Sequence, residues 1–250
     1  MDSSHLYRDI LDFAHSTPAW VQTGFEVWTE AGLLVFGALY IVLWWRARTQ
    51  GSRQLALAVL APLVTAIGYV ASEAVKSTVT EERPCRAVAG AAASLVPCPP
   101  PGDWSFPSNH SAIAGAAAMA LAVALPRLAL LTIPMALVMA FSRVFVGVHY
   151  PHDVAMGLLL GGSLSALLMV LLTGPGARLM ETMRGSRVGV LRWFTGPGPR
   201  VSAVAAPAVA GPPPGAFAGP LAGPAPVPFP GQAQEEPNPY RSQQQPPAWH

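Results

Sequence analysis

The sequence predicts an all-α fold, a polytopic membrane helical bundle of about five transmembrane helices. Composition is the first observation: 52% of the 250 residues are hydrophobic and only 11% charged, where an average soluble domain is about 25% charged. The second is a set of apolar runs of about 20 residues, the length a helix needs to cross a bilayer core of roughly 30 Å. The third is the placement of proline: 15 of the 27 lie between Pro197 and Pro247, so the apolar body and the C-terminal tail are different materials.

Four parts follow from this. Residues 1–25 form a leader in which Leu6, Ile10, Leu11 and Phe13 recur at near-helical spacing among Arg8, Asp9 and Asp12. That pattern suits an amphipathic helix lying flat on the outer leaflet; a short frayed leader fits it as well. The acidic start is not that of a secretory signal. Residues 26–175 form the membrane domain, with spans expected near 27–45, 54–75, 111–126, 128–147 and 154–173. The third is short and alanine-rich, a composition that favours close helix packing in lipid. Pro62 and Pro134 fall inside spans, where neighbouring helices can satisfy the carbonyls they free. Residues 176–195 form a basic juxtamembrane segment. Residues 196–250 form a Pro/Ala/Gly-rich tail expected to be disordered or polyproline-like, an inert extension or a site for a protein partner.

Arginine placement orients the bundle. Arg46, Arg48, Arg53, Arg127, Arg178, Arg184, Arg187 and Arg192 all fall in connections on one side, expected to be cytoplasmic together with the tail, in a multi-pass protein of the plasma membrane. Lys76, Arg83, Arg86 and Arg143 then lie on the other side, against the positive-inside trend, and need a local reason. Lys76 is the single lysine among 15 basic residues. With a net charge of +2 and no basic cluster, the chain carries no nucleic-acid footprint.

Three motifs gather at that outer side: Lys76-x6-Arg83-Pro84, Pro107-Ser108-Asn109-His110, and Ser142-Arg143-x5-His149-x3-Asp153. Three cations supply charge-assisted donors to phosphoryl oxygens, and the two arginines can each bind a pair. Ser108 precedes a helix, so its hydroxyl and the amides of Asn109 and His110 sit where orphan N–H groups and the helix dipole favour an anion. One histidine can attack phosphorus as a neutral imidazole while the other protonates the departing oxygen. Asp153, one turn after His149, can fix the tautomer of that ring and stabilise the charge it acquires. Opposite starting protonation states imply a bell-shaped pH profile.

These motifs resemble, in order and internal spacing, the three-part signature of the type 2 phosphatidic acid phosphatase superfamily over about residues 25–175. They are most similar to its bacterial undecaprenyl-diphosphatase branch. The resemblance implies that His149 forms a phosphohistidine, that Asp153 orients it, and that His110 protonates the leaving group and then activates water. It further implies that Lys76, Arg83, Arg143, Ser108 and the Asn109 amide hold the phosphoryl oxygens, with no metal or other cofactor. The family commonly has glycine where this chain has Asn109. The implied reaction removes a phosphate from a lipid (di)phosphate in the membrane, with undecaprenyl diphosphate first. Phosphatidic acid, phosphatidylglycerol phosphate and a polyprenyl-phosphosugar phosphate are the competing substrates. A catalytically idle membrane scaffold or lipid-binding protein is the reading from another class. The complete pair His110 and His149 with Asp153 speaks against it.

Other residues have plainer readings. His152 lies outside the motif and reads as a loop residue, with Pro151 starting the last span. Glu73, Glu81 and Glu82 read as solvated residues or charge-balancing partners of the cations, and His5 and His15 have no partner pattern. Trp44, Trp45 and Trp104 fit interfacial belts. Cys85 and Cys98 can close a 14-residue loop in an oxidising compartment, worth up to about 3 kcal/mol, or stand as two free thiols.

Overall fold

The computed structural model describes residues 3–199; the expected tail, from residue 200 on, lies outside the described residues. The helices are α1 (Ser4–Ser16), α2 (Ala19–Ala47), α3 (Ser52–Lys76), α4 (Pro84–Ala87), α5 (Asn109–Ala124), α6 (Ala129–Phe145), α7 (Pro151–Arg184) and α8 (Gly189–Thr195), with a 3-10 turn at Pro126–Leu128 before α6. No strand occurs among the described residues, and the fold is the all-helical membrane bundle the composition predicts.

Four helical segments are long and apolar enough to span a bilayer: α2, α3, Pro126–Phe145 and α7. The fifth expected span is α5, whose 16 residues reach only about 24 Å. It can be short because it is the core of the bundle, packed against α3, α6 and α7. Ala112, Ala114, Ala116, Ala117 and Ala120 on it are fully buried. The apolar surface faces outward instead: Leu34 is 74% exposed, Leu130 87% and Val170 71%, an arrangement that is stable when the surrounding solvent is lipid. Two helices are longer than the hydropathy runs. α2 begins at Ala19, and α7 passes through Pro175 to Arg184, so the first half of the basic segment continues the last span.

Small residues set how closely α5 and α7 approach. A β-carbon on Gly161 would fall 2.0 Å from the Ala112 carbonyl oxygen, and one on Gly157 would fall 2.5 Å from that of Ser108. The two backbones are therefore in contact, as small residues allow in lipid. Across this contact the Ser108 amide donates to the Asp153 carbonyl at 3.1 Å, joining the start of α5 to the start of α7.

The leader is a helix that turns one side onto the protein and leaves Leu6 and Phe13 exposed. Tyr7, Leu11 and Ala14 are fully buried, the first two in a cluster with Val144, Tyr150 and Val154. The Tyr7 hydroxyl donates to the Gly147 carbonyl at 2.9 Å. Burial, reinforced by Tyr150, pushes its pKa up to about 12, so it stays a neutral donor. His15 donates to the Ala93 carbonyl at 2.8 Å and Arg8 to that of Ala89 at 3.1 Å, which corrects the expectation that His15 has no partner. Cys85 and Cys98 are joined in a disulfide. Between them, Arg86 pairs with Glu82 and donates to the Pro99 and Pro100 carbonyls.

The α5–α7 contact gives a direct test. Gly161→Ala must push the two backbones apart and should destabilise the protein by about 1–3 kcal/mol or more. Gly174→Ala, on the same helix with nothing within 4 Å of the new methyl, should leave stability unchanged or slightly raised. Thermal unfolding of the two purified variants in one detergent checks the contrast.

Candidate active site

One cavity, of about 280 Å³, lies where α3 and α6 end and α5 begins, on one side of the bundle. It is lined by Lys76, Arg83, Asn109, His110, Arg143 and His149, with Tyr69, Pro99, Asp103 and Ile113 completing the wall. The three sequence motifs therefore converge, and each cation arrives on a different element. Lys76 is the last residue of α3, Arg83 precedes α4, and Arg143 lies in the last turn of α6.

All three cations are buried, at 7%, 3% and 6% exposure, so each must be compensated. Arg83 donates through Nε to the Asp103 carbonyl and through Nη2 to the Asp103 carboxylate, both at 2.8 Å. Lys76 lies 3.6 Å from the same carboxylate and 3.8 Å from Glu73. Arg143 donates to the Thr29 hydroxyl at 2.8 Å, and Glu30 is 3.7 Å away; both partners come from α2. Burial works against ionisation of Asp103, but hydrogen bonding and charge from Arg83, helped by Lys76, outweigh it. They hold the carboxyl below its ordinary value.

His149 sits in the tight connection between α6 and α7, 1% exposed. The turn before it needs Gly147, whose φ is +86° and whose hypothetical β-carbon would meet Ser94 at 3.0 Å. Arg83 Nη1 is 3.1 Å from His149 Nε2 and also donates to the Val148 carbonyl. A guanidinium can only donate, so Nε2 is an acceptor and the proton is on Nδ1, which faces Asp153 Oδ2 at 3.3 Å. Burial above all, then the positive charges of Arg83, Arg143 and Lys76, hold the imidazole well below its usual pKa, against the pull of Asp103. The ring is neutral, with its Nε2 lone pair toward the cavity-lining Arg83.

Asp153 is fully buried in the first turn of α7. Its Oδ2 accepts the Tyr150 amide at 2.8 Å and the hydroxyl of Ser105, in addition to His149. Oδ1 lies 3.3 Å from His152 Nε2. His152, expected in a loop, is in that same helical turn because Pro151 starts α7. Its Nε2 is 3.1 Å from both oxygens of Glu81, and Ser3 holds Nδ1 at 2.7 Å. Glu81 thus pairs with a histidine instead of balancing a cation. Glu81, His152 and Asp153 place three ligand-type atoms within 4.8 Å of one another, the geometry of a histidine held between two carboxylates and also one that a metal ion could use.

The second motif divides. His110 lines the cavity, as does Asn109, whose side chain donates to Glu73 and accepts from Ser72 at 2.7 Å. Ser108 is fully buried one residue behind them, its hydroxyl accepting from Ser111 at 3.2 Å. Sequence reasoning missed Asp103, Ser105 and Thr29. Asp103 and Ser105 lie in an irregular stretch, Pro99 to Phe106, with no periodicity to mark them, and Thr29 is an ordinary polar residue within an apolar span.

Ser105 offers a test of this arrangement. Ser105→Ala leaves the buried Asp153 carboxylate one donor short and should cost about 1–3 kcal/mol of stability, read as a lowered unfolding midpoint. Asp103 gives a pH signature with a definite sign. Its folded pKa is depressed, so its contribution is present above the unfolded carboxylate range and lost as pH falls through the folded value. The stability difference between wild type and Asp103→Asn should therefore shrink as pH is lowered from 5 toward 3, followed by thermal unfolding across that range.

Residues 57–175 match the family model of the PAP2 superfamily. Among curated proteins, the chain is 38% identical over 88 residues to an undecaprenyl-diphosphatase of Sulfolobus acidocaldarius, an alignment covering 34% of this chain and 43% of that protein. It is 45% identical over 69 residues to a decaprenylphosphoryl-5-phosphoribose phosphatase of Mycobacterium tuberculosis, covering 27% and 37%. The chain thus spans less than half the length of these relatives. Its fold is similar to the crystal structure of LpxE from Aquifex aeolicus, with a TM-score of 0.52 at 21% identity over 67% of this chain and 93% of that one. All three motifs fall within residues 57–175, and this segment of the chain is a PAP2 superfamily domain.

Proposed function

We propose that the protein is an integral membrane lipid phosphatase that removes a phosphate from a lipid (di)phosphate, with undecaprenyl diphosphate as its substrate, through a phosphohistidine on His149. The observation that supports this most is the state of His149: a neutral imidazole whose Nδ1–H faces a buried carboxylate and whose Nε2 faces a cavity lined by three cations.

In this reading the phosphoryl oxygens enter between Lys76, Arg83 and Arg143. Arg83 transfers its Nη1 donor from Nε2 to a phosphoryl oxygen, which frees the lone pair. Nε2 attacks phosphorus, the bond to the lipid oxygen breaks, and His110, which takes up a proton as the anionic headgroup binds beside it, delivers that proton to the lipid oxygen. Asp153 stabilises the positive charge on the phosphorylated ring. His110, now neutral, takes a proton from water as the water attacks phosphorus; the N–P bond breaks and inorganic phosphate leaves. Preorganised cations matched to charge on the equatorial oxygens supply most of what phosphoryl transfer requires. The cavity lies at the helix ends, so a lipid can present its headgroup while its tail remains in the bilayer. The opposite end is rich in arginine, which supports a cavity open to the extracytoplasmic face.

A polyprenyl-phosphosugar phosphate is the second reading, favoured by the 45% identity to the mycobacterial relative. Phosphate release by the purified full chain from a panel of lipid phosphates separates the two. His149→Ala should reduce release to background, and His110→Ala should lower it by about 10²–10⁴-fold. Equal release by wild type and the His149 variant would exclude the mechanism, and loss of turnover in EDTA would exclude its metal independence. Because His149 is held neutral well below 6.5, its titration places no acid limb at or above pH 6.5 in kcat/KM, which a pH profile of the free enzyme tests. Lys76→Arg should impair turnover although it conserves charge, since a compact ammonium and a planar fork place their donors differently.

A further inference from the structure

A second polar pocket, of about 460 Å³, lies at the end of the bundle opposite the catalytic cavity, with Arg48, Arg184, Arg192, Trp193 and Gly196 in its wall. The segments that build it, 46–53 and 176–199, carry seven arginines and one acid, Glu181. That acid is engaged by the Ser52 hydroxyl. The pocket is therefore a concentrated positive field, and the catalytic chemistry uses none of it.

Its walls are built to definite positions. Arg48 donates to the Trp193 carbonyl at 2.5 Å and its guanidinium lies 4.5 Å from the Trp45 ring centroid and 5.2 Å from those of Trp44 and Trp193. Its buried Nε has no hydrogen-bond partner. Arg184 donates to the Thr195 and Arg48 carbonyls, fastening α8 to the end of α2. Gly196, at φ +70°, lets the chain pass Arg48 so closely that a β-carbon would fall 2.5 Å from its Cβ. Arg192, exposed on α8, has no ion pair or side-chain hydrogen bond among the described residues to compensate its charge. Trp45 and Trp193, each 59% exposed, mark this level as the bilayer interface, where amphipathic rings settle.

We infer that this pocket binds the phosphate headgroup of an anionic phospholipid in the leaflet opposite the active site. Phosphoryl oxygens are what clustered guanidinium donors recognise, and free phosphate shares that chemistry. The interfacial tryptophans select the lipid, because they place the pocket where headgroups lie and acyl chains can continue along the exposed apolar faces of α2. The inference stands apart from the phosphatase reading and would survive its failure.

The test is thermal unfolding of the detergent-purified full chain titrated with a short-chain phosphatidylglycerol, a phosphatidylcholine of the same chain length, or inorganic phosphate. Phosphatidylglycerol should raise the midpoint by at least about 2–4 °C and phosphatidylcholine should not. Arg192→Gln should weaken the apparent affinity about fivefold, the loss expected for one basic residue at an anionic interface. Arg192→Lys should restore most of it. Lys76→Gln separates this pocket from the catalytic cavity: the lipid effect should persist in it. An equal response to inorganic phosphate would overturn the lipid assignment. An unchanged response in Arg192→Gln, or one lost in Lys76→Gln, would overturn the site.

Discussion

The contact between α5 and α7 is the constraint on which the site depends. Two glycines on α7 let its backbone touch the carbonyls of Ala112 and Ser108, and the amide of Ser108 closes the gap with a hydrogen bond to Asp153. His110 lies in the first turn of α5 and Asp153 in the first turn of α7, so this one contact sets the separation between the proposed proton donor and the residue that orients the proposed nucleophile. In lipid no hydrophobic force draws helices together, so backbone proximity and dispersion between small residues must do so. The short, alanine-rich α5 reflects that requirement: larger side chains would fill the space that fixes the register.

The cationic cluster then depends on parts of the chain that carry no reactive group. Three buried cations share few compensating groups. Arg83 and Lys76 both lean on Asp103, and Arg143 leans on Thr29 with Glu30 beyond it. Burial first, and then the three cations, hold His149 neutral, with Asp103 pulling the other way. The cations' remaining partners come from rigid neighbours: Glu73 on α3, and Thr29 and Glu30 on α2.

Much of this was legible in the sequence, and the limit has a physical origin. Lys76, Arg83, His110, Arg143 and His149 could be grouped because motif spacing is local and helix ends are predictable from hydropathy. Their convergence on one cavity is what the fold adds. Asp103 and Ser105 were invisible because irregular backbone has no period, so nothing in the chain says which of its polar residues turn inward. For α1, an amphipathic pattern reports that a face is buried without reporting what buries it: Tyr7 and Leu11 meet protein, while Leu6 and Phe13 stay exposed. The last span was expected at 154–173, whereas α7 continues through Pro175 to Arg184.

The placement of α1 also explains how a loop can hold a reactive residue still. The α6–α7 connection is only five residues long, from Val146 to Tyr150, and contains a glycine at positive φ, a combination that would ordinarily permit alternative conformations. Tyr7 removes that freedom by holding the Gly147 carbonyl, and the Leu95 amide does the same for Val146 at 3.0 Å. From the other side, Arg83 takes the Val148 carbonyl and Asp153 takes the Tyr150 amide. Four successive anchors, from the leader helix, the long loop, the cationic cluster and the last span, converge on five residues. His149 is thus positioned by backbone contacts that are independent of its own ring, which leaves both ring nitrogens for chemistry: Nδ1 for the carboxylate that fixes its tautomer, and Nε2 for whatever anion the cations admit.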